Sequence, residues 1–289
     1  MPASPLRILG ALACLGALGL AACGAPASDS ASSPSASGGT VSCTKDSLKT
    51  RTAGKLTIAT DKPAYAPWFV DDTPSNGKGY ESAVAFAIGK QLGYAATDVV
   101  WITATFTSIT SPGAKPFDFA VNQVSITPER KQAVDFSTGY YDVRQAVVTT
   151  KGSALDGKTT VADLAGAKLG AQVGTTSLEA IKNQIKPSQA PSVYDTNDLA
   201  VQALKNKQID GLVVDLPTAF YAVGAQLDDG VIVGQLPASG TPEQFGAVLD
   251  KGSALTACVS QAVDALRADG TLSTLEGEWL SSQGAPELK

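Results

Sequence analysis

Residues 118–137 read DFAVNQVSITPERKQAVDFS, and the rest of the chain is organised around this stretch. An apolar strand over 117–121 runs into polar residues and then into Thr127-Pro128-Glu129-Arg130. A hydroxyl side chain, a proline and an acid in that order predict an N-cap, a proline at the first helical position and a carboxylate matched to the helix dipole. A strand feeding a short helix in this way gathers Ser125, Thr127 and Arg130 around free backbone N–H groups. The planar guanidinium of Arg130 matches a carboxylate, so the stretch predicts a site for a small anion. An isolated Arg130 would read as a solvated surface arginine; the hydroxyls and the proline beside it favour the site.

Residues 55–60 (KLTIAT) alternate as a strand and run into the Pro-punctuated loop Asp61-Lys62-Pro63-Ala64-Tyr65-Ala66-Pro67-Trp68. Residues 80–92 carry Val84, Ile88 and Leu92 on one helical stripe before Gly93. Strands are expected at 99–103 and 144–150, with a short helical turn at 106–110. A second unit starts near Gly152-Ser153. It has a short helix at 161–164, a strand at 168–172 ending in Gly174-Thr175-Thr176, and a helix over 177–185 that Thr176 and Glu179 would open as a capping box. It continues with a strand at 192–195, a helix at 198–205, an apolar strand at 209–214 ending at Asp215, a helical segment at 217–225 and a strand at 231–233. A strand at 245–249 and helices at 253–268 and 272–280 close the chain. Trp279 is expected in the core or at a domain edge. Strands and helices in alternation predict an α/β fold, with right-handed crossovers and mainly parallel sheets.

The N-terminal segment stands apart. Arg7 precedes an uncharged apolar run over 8–22 that is shorter than the about 20 residues of a membrane span. Residues 1–22 read as an export signal. Residues 25–40 are Ala, Ser, Gly and Pro with one Asp and one Thr, too polar to bury a core, so residues 23–46 are expected to form a flexible stalk. The remaining ~245 residues suit two domains or one large one. The whole chain has 22 basic and 27 acidic residues, and removing Arg7 with the signal leaves 21 against 27. No basic run appears, which argues against nucleic acid as a partner.

The chain has no histidine, which removes Ser-His-Asp catalysis, His-paired cysteine nucleophiles and nearly all zinc chemistry. No metal or cofactor is expected. Of the four cysteines, Cys14 lies in the signal and Cys23 directly follows Leu20-Ala21-Ala22. Cys43 and Cys258 remain, and in an exported chain they read as a disulfide, with two reduced thiols as the alternative.

The candidate polar residues all follow strands: Asp61 and Tyr65, then Ser125, then Thr175 and Thr176, then Asp215. Ligands of open α/β sheets bind at such strand ends. Arg130 and the amides at Thr175 and Thr176 suit a carboxylate, Asp215 suits an ammonium, and Tyr65 and Phe106 offer flat apolar faces. Asp215 reads equally as an N-cap for a helix at Pro217, and Tyr65 and Phe106 equally as core. A zwitterionic amino acid held between two units would satisfy the whole set.

The stretch VNQVSITPERKQAVDFSTGYY resembles the signature of the polar amino-acid-binding proteins of ABC transporters, the bacterial extracellular solute-binding family 3. TDKPAYAPW, GAQVGTTSLE and RADGTLSTLEGEWL add to the resemblance, which spans about residues 55–280. It implies a two-lobe periplasmic-binding-protein fold of type II. Lobe 1 would hold 47–148 plus 245–289, lobe 2 would hold 149–244, and the ligand would lie between them. It also implies that Arg130 clamps the ligand carboxylate, Thr176 adds backbone N–H groups, Asp215 takes the ammonium and Ser125 touches the same zwitterion. Tyr65 and Phe106 would flank the side chain, and Asp61 corresponds to an acid that touches the substrate side chain in some members. Gln123 stands where members often carry a small residue, and the loop from Asp61 to Tyr65 is one residue longer than in common binders of basic amino acids. A polar ligand, uncharged or cationic, is expected.

Leu20-Ala21-Ala22-Cys23 resembles a lipobox, which implies an acylated Cys23 anchoring a monomeric receptor to the outer face of the cell membrane, with permease subunits as partners. An ordinary signal peptide cut after Ala22, with Cys23 incidental, and an uncleaved anchor are the alternatives. Competing functions are an enzyme on the same fold, such as a cyclohexadienyl dehydratase using Asp61, and a ligand sensor without transport.

Overall fold

Strand β1 (Leu56–Thr60) is buried along its whole length, which requires cover on both faces of its sheet. The protein is described by a computed structural model covering residues 42–238, 240, 242–280 and 284–289. The expected signal and Cys23 lie outside the described residues, as does the stalk up to residue 41. Residues 42–46, expected in the stalk, are part of the fold: Cys43 is bonded to Cys258, and Lys45 pairs with Asp98 at 2.6 Å.

The first sheet is ordered β2-β1-β3-β10-β4. It is built from β1, β2 (Val99–Thr103), β3 (Phe119–Ala120), β4 (Asp135–Val143) and β10 (Glu243–Leu249). β1 is parallel to β2 and β3, whereas β10 is antiparallel to β3 and β4. One face packs Leu56 and Ile58 against α1 (Tyr80–Gln91), α7 (Thr256–Ala268) and α8 (Thr271–Trp279), with Trp279 packed beside that core. The other face packs Ala59, Ala120 and Val248 against Ile109 of α2 (Phe106–Thr110) and the region of α3 (Arg130–Ala133). Gly79 is the N-cap of α1, and its φ of 94° suits glycine. A Cβ there would stand 2.5 Å from the Trp68 carbonyl oxygen, so the chain can approach this closely only without a side chain.

The second sheet is ordered β7-β6-β8-β5-β9. Its strands are β5 (Gln145–Thr150), β6 (Leu169–Gln172), β7 (Ser192–Tyr194), β8 (Gly211–Asp215) and β9 (Gly230–Gln235). Val213 faces a core shared with α4 (Thr176–Ala180) and its π-helical continuation Ile181–Ile185. Leu212 and Val214 face α5 (Asn197–Lys205) and α6 (Leu216–Tyr221) on the other side.

Three expectations change. Both sheets are mixed rather than mainly parallel, because β5 runs antiparallel to β8 and β9 just as β10 does to β3 and β4. The chain passes to the second sheet between Val143 and Gln145, before residue 148. It returns at Glu243 rather than 245, and its last residues return to the second sheet: Leu288 N–H donates to Gln235 O at 2.8 Å, and Leu288 is buried there. β4 has no clean alternation because its pairing with β10 carries register shifts, which break the period-two burial pattern.

Candidate functional site

Parallel strands end in loops at the same edge of each sheet, and the two edges face one cavity of about 380 Å³. Asp61 follows β1, Phe106 follows β2, Gln123 and Ser125 follow β3, Thr175 and Thr176 follow β6, and Asp215 ends β8. All of these line the cavity, together with Tyr65 and Arg130. Every ligand residue expected from the sequence is thus brought to one place.

Arg130 opens α3, which begins later than the Thr127 cap implies, after a turn at Pro128 and Glu129. Thr127 still caps locally, its Oγ1 accepting from Arg130 N–H at 3.1 Å. The guanidinium donates to the Ser125 carbonyl at 2.7 Å and to the Gly174 carbonyl at 2.9 Å, and lies 5.2 Å from the centre of the Phe106 ring. The Gly174 contact reaches from the first sheet's side to the second's. Gly174 has φ of 70°, the left-handed turn that joins β6 to α4. Burial pushes the Arg130 pKa down, and the nearby Asp215 and Glu243 carboxylates oppose that shift.

Helix α4 starts one residue earlier than expected: Thr175, not Thr176, is the N-cap, and its Oγ1 accepts from Leu178 N–H at 3.2 Å. Glu179 does not close a capping box but accepts from Lys182 and Asn183. Thr176 is left facing the cavity, its Oγ1 3.3 Å from Ser125 Oγ.

Asp215 precedes α6 without capping it. Its carboxylate instead accepts from Gln145 Nε2 at 2.7 Å. The same Nε2 lies 3.1 Å from Glu243 Oε2, and Ser125 Oγ donates to Glu243 Oε1. Gln145 Oε1 is held by the Ser177 hydroxyl at 2.6 Å. Asp215 keeps part of its surface open to the cavity but lies deep in the protein. Burial and then the Glu243 charge push its pKa up to about 8.

Asp61 accepts from Phe106 N–H at 2.8 Å and Lys62 N–H at 2.7 Å, so it orients the start of α2 while lining the cavity. Tyr65 packs against Tyr221, ring centres 5.4 Å apart, and its hydroxyl meets Asp198. Burial, followed by that carboxylate, pushes the Tyr65 pKa far up. Gln123 adopts φ of 47°, an uncommon conformation for a residue with a Cβ. Glu81, buried in the first turn of α1, holds it: Oε1 accepts from Gln123 N–H at 2.7 Å, and the carboxylate also takes Gln123 Nε2 and the Tyr140 hydroxyl. The bulky amide at 123 is therefore turned onto Glu81.

Sequence reasoning missed Glu81, Gln145 and Glu243, whose partners stand 31 to 118 residues away. It also missed the lining residues Asn122, Asp195 and Asp198. The position of Asp195 after β7 was the one available signal. Among the described residues, no group of three or more His, Cys, Asp or Glu could hold a metal ion, and no helix is long and apolar enough to cross a membrane.

Residues 56–282 match the family described as bacterial extracellular solute-binding proteins, family 3. The ABC transporter arginine-binding protein 1 of Escherichia coli K12 is 30% identical over 207 residues, covering 70% of this chain and 81% of that one. A solved ancestral arginine-binding protein bound to glutamine superposes with a TM-score of 0.65 at 28% identity, covering 79% of this chain and 99% of its own. A solved ancestral amino acid-binding protein, a precursor of cyclohexadienyl dehydratase, does so at 0.63 with 30% identity, covering 78% and 95%.

Proposed function

The chain belongs to the bacterial extracellular solute-binding proteins of family 3, and from that premise we propose that it is the receptor of an ABC importer. It holds one free amino acid between two lobes and presents it to permease subunits in the membrane. The observation that carries this reading is that Arg130 from one lobe and Asp215 from the other line the same cavity, a cation and an acid suited to the two ends of a zwitterion. Arg130 takes the α-carboxylate together with N–H groups at Thr175 and Thr176. Asp215 takes the α-ammonium, and Ser125 contacts the same groups. Tyr65, Phe106, Gln123 and Asp61 surround the side chain. It is a binding protein and not an enzyme, in keeping with relatives named for arginine and glutamine binding.

The wall favours a polar side chain, and a cationic one over a neutral one. Beyond Asp215 it carries Asp61, Asp195 and Asp198, against Lys62 and Arg130. Lys62 is turned to Asp72 at 3.3 Å, so the side-chain end of the cavity is left acidic. The stretch Leu20-Ala21-Ala22-Cys23 supports acylation of Cys23 and a tether to the outer face of the membrane. The receptor acts as a monomer of two lobes, divided at the strands that cross near Gln145 and Glu243.

The test is scanning calorimetry of the full chain in mild detergent, freed of ligand, against each standard amino acid. A ligand at about 100 times its Kd adds about 2.7 kcal/mol, which is about 5–10 °C in Tm for a chain of this size. A shift with one or a few polar amino acids is expected. A folded protein that responds to none of them would overturn the receptor reading.

A further inference from the structure

The two segments that join the lobes bring their first residues together behind the wall of the cavity. Gln145 begins β5, just after Val143, and Glu243 begins β10 in register with Val143. Glu243 is not among the residues lining the ligand cavity. It nevertheless accepts from the hydroxyl of Ser125, on the first lobe, and shares the Gln145 amide with Asp215, on the second. Gln145 Nε2 also lies 3.3 Å from Thr176 Oγ1. The amide is held in this orientation because Ser177 donates to its oxygen.

We infer that Glu243 is a positioning residue for the ligand's α-ammonium. It orients Ser125 and, through Gln145, ties Asp215 to the crossing strands, so both lobes' contacts to the ammonium form one hydrogen-bonded unit at the hinge. This inference rests on the amino-acid reading of the cavity and goes beyond it by assigning a role to a residue behind the wall.

The chemistry is specific to the cationic end of the ligand. In the empty cavity Asp215 and Glu243 are two carboxylates facing one amide, and the Glu243 charge disfavours that of Asp215. An ammonium placed between Asp215 and Ser125 relieves that repulsion; a carboxylate end does not. The other groups that face Asp215 are Arg130 from α3, Glu81 from α1, and Tyr140 and Tyr141 from β4. Arg130 alone among them is cationic. Replacing Glu243 by glutamine removes one negative charge beside Asp215 and keeps the shape, so Asp215 ionises at lower pH.

The experiment is calorimetric titration of the full chain in mild detergent, wild type and Glu243→Gln. The probes are L-arginine and L-glutamine, each beside the analogue lacking the α-amino group, 5-guanidinopentanoate and glutaramate. At about pH 9, Glu243→Gln is expected to weaken amino-acid binding by about tenfold, the worth of one charge-assisted hydrogen bond. Binding of the des-amino analogues should be almost unchanged. At about pH 6 the amino-acid loss should shrink, because the variant keeps Asp215 ionised where the wild type does not. Ser125→Ala, which removes the same link from its other end, should add little when combined with Glu243→Gln. Glu243→Asp, which keeps the charge but shortens its reach to Ser125 and Gln145, serves in place of Glu243→Gln if that variant does not fold, with amino-acid binding again expected to weaken more than analogue binding. Equal losses for amino acids and analogues at both pH values would make Glu243 a structural residue and overturn the inference. Wild-type binding of the amino acids is read separately and tests the receptor reading alone.

Discussion

Replacing Arg130 by alanine tests the ligand clamp most directly. Of the five guanidinium N–H groups, two are taken by the carbonyls of Ser125 and Gly174, which leaves three for a ligand carboxylate. Two charge-assisted hydrogen bonds at about 1.5–3 kcal/mol each set an upper limit near 6 kcal/mol. Part of the carboxylate's environment survives the change, since the N–H groups at Thr175 and Thr176 remain. Truncating one member of a buried charged pair typically costs about 2–5 kcal/mol. At about 1.4 kcal/mol per tenfold, Kd should rise by about 30-fold to several thousandfold. Arg130→Lys keeps the charge but loses the fork, and should cost roughly 10- to 100-fold, one such hydrogen bond. Isothermal calorimetry with the amino acid that gives the largest thermal shift measures both, with Tm confirming that each variant is folded. An Arg130→Ala protein within about threefold of wild type would refute the clamp, since under about 0.7 kcal/mol is too little for any buried charge pair. An Arg130→Lys protein equal to wild type would refute the role of the fork.

Two further expectations concern stability. Cys43 and Cys258 are bonded across a separation of 215 residues, and closing so long a loop is worth about 5 kcal/mol by chain entropy as an upper figure. The double serine variant should therefore lose about 10–20 °C in Tm while keeping its amino-acid affinity; an unchanged Tm would show that the staple contributes nothing. Glu81, buried and held by Gln123 and Tyr140, has its pKa pushed from 4.5 to about 7, chiefly by burial. The raised folded value means that its contribution is fully present below about pH 4.5 and is lost as pH rises through about 7, a swing of at most about 3 kcal/mol. Glu81→Gln does not titrate, so its Tm relative to wild type should improve between about pH 5 and pH 8 in ligand-free protein; a constant difference would contradict the assignment.

What could be read in the sequence was whatever short-range pattern encodes. The hydroxyl, proline and acid before Arg130, the Gly-Thr-Thr turn after β6 and the acid ending β8 each sit next to an element whose period is visible. Strand ends in this kind of fold converge, so eight of the cavity residues could be named from their places and chemistry in the sequence, and the family resemblance added Gln123. The family resemblance then carried the two-lobe arrangement. Asp215 shows the limit: cap and ligand roles were balanced on sequence, and only its bond to Gln145 showed that the carboxylate turns away from the helix.

The tertiary structure decided everything that depends on distant partners. β4 escaped notice because its bulged pairing with β10 scrambles the burial period. The mixed sheets follow from the direction in which the crossing strands enter, and no local signal states that direction. Gln123 stands where family members often carry a small residue, and only the fold shows that Glu81, 42 residues earlier, takes its amide. Glu243 and Gln145 have no motif of their own; they matter because two crossings place them against Ser125 and Asp215. Strand ends and caps are legible because their causes lie within a few residues, whereas buried charge networks are set by which segments the fold packs together.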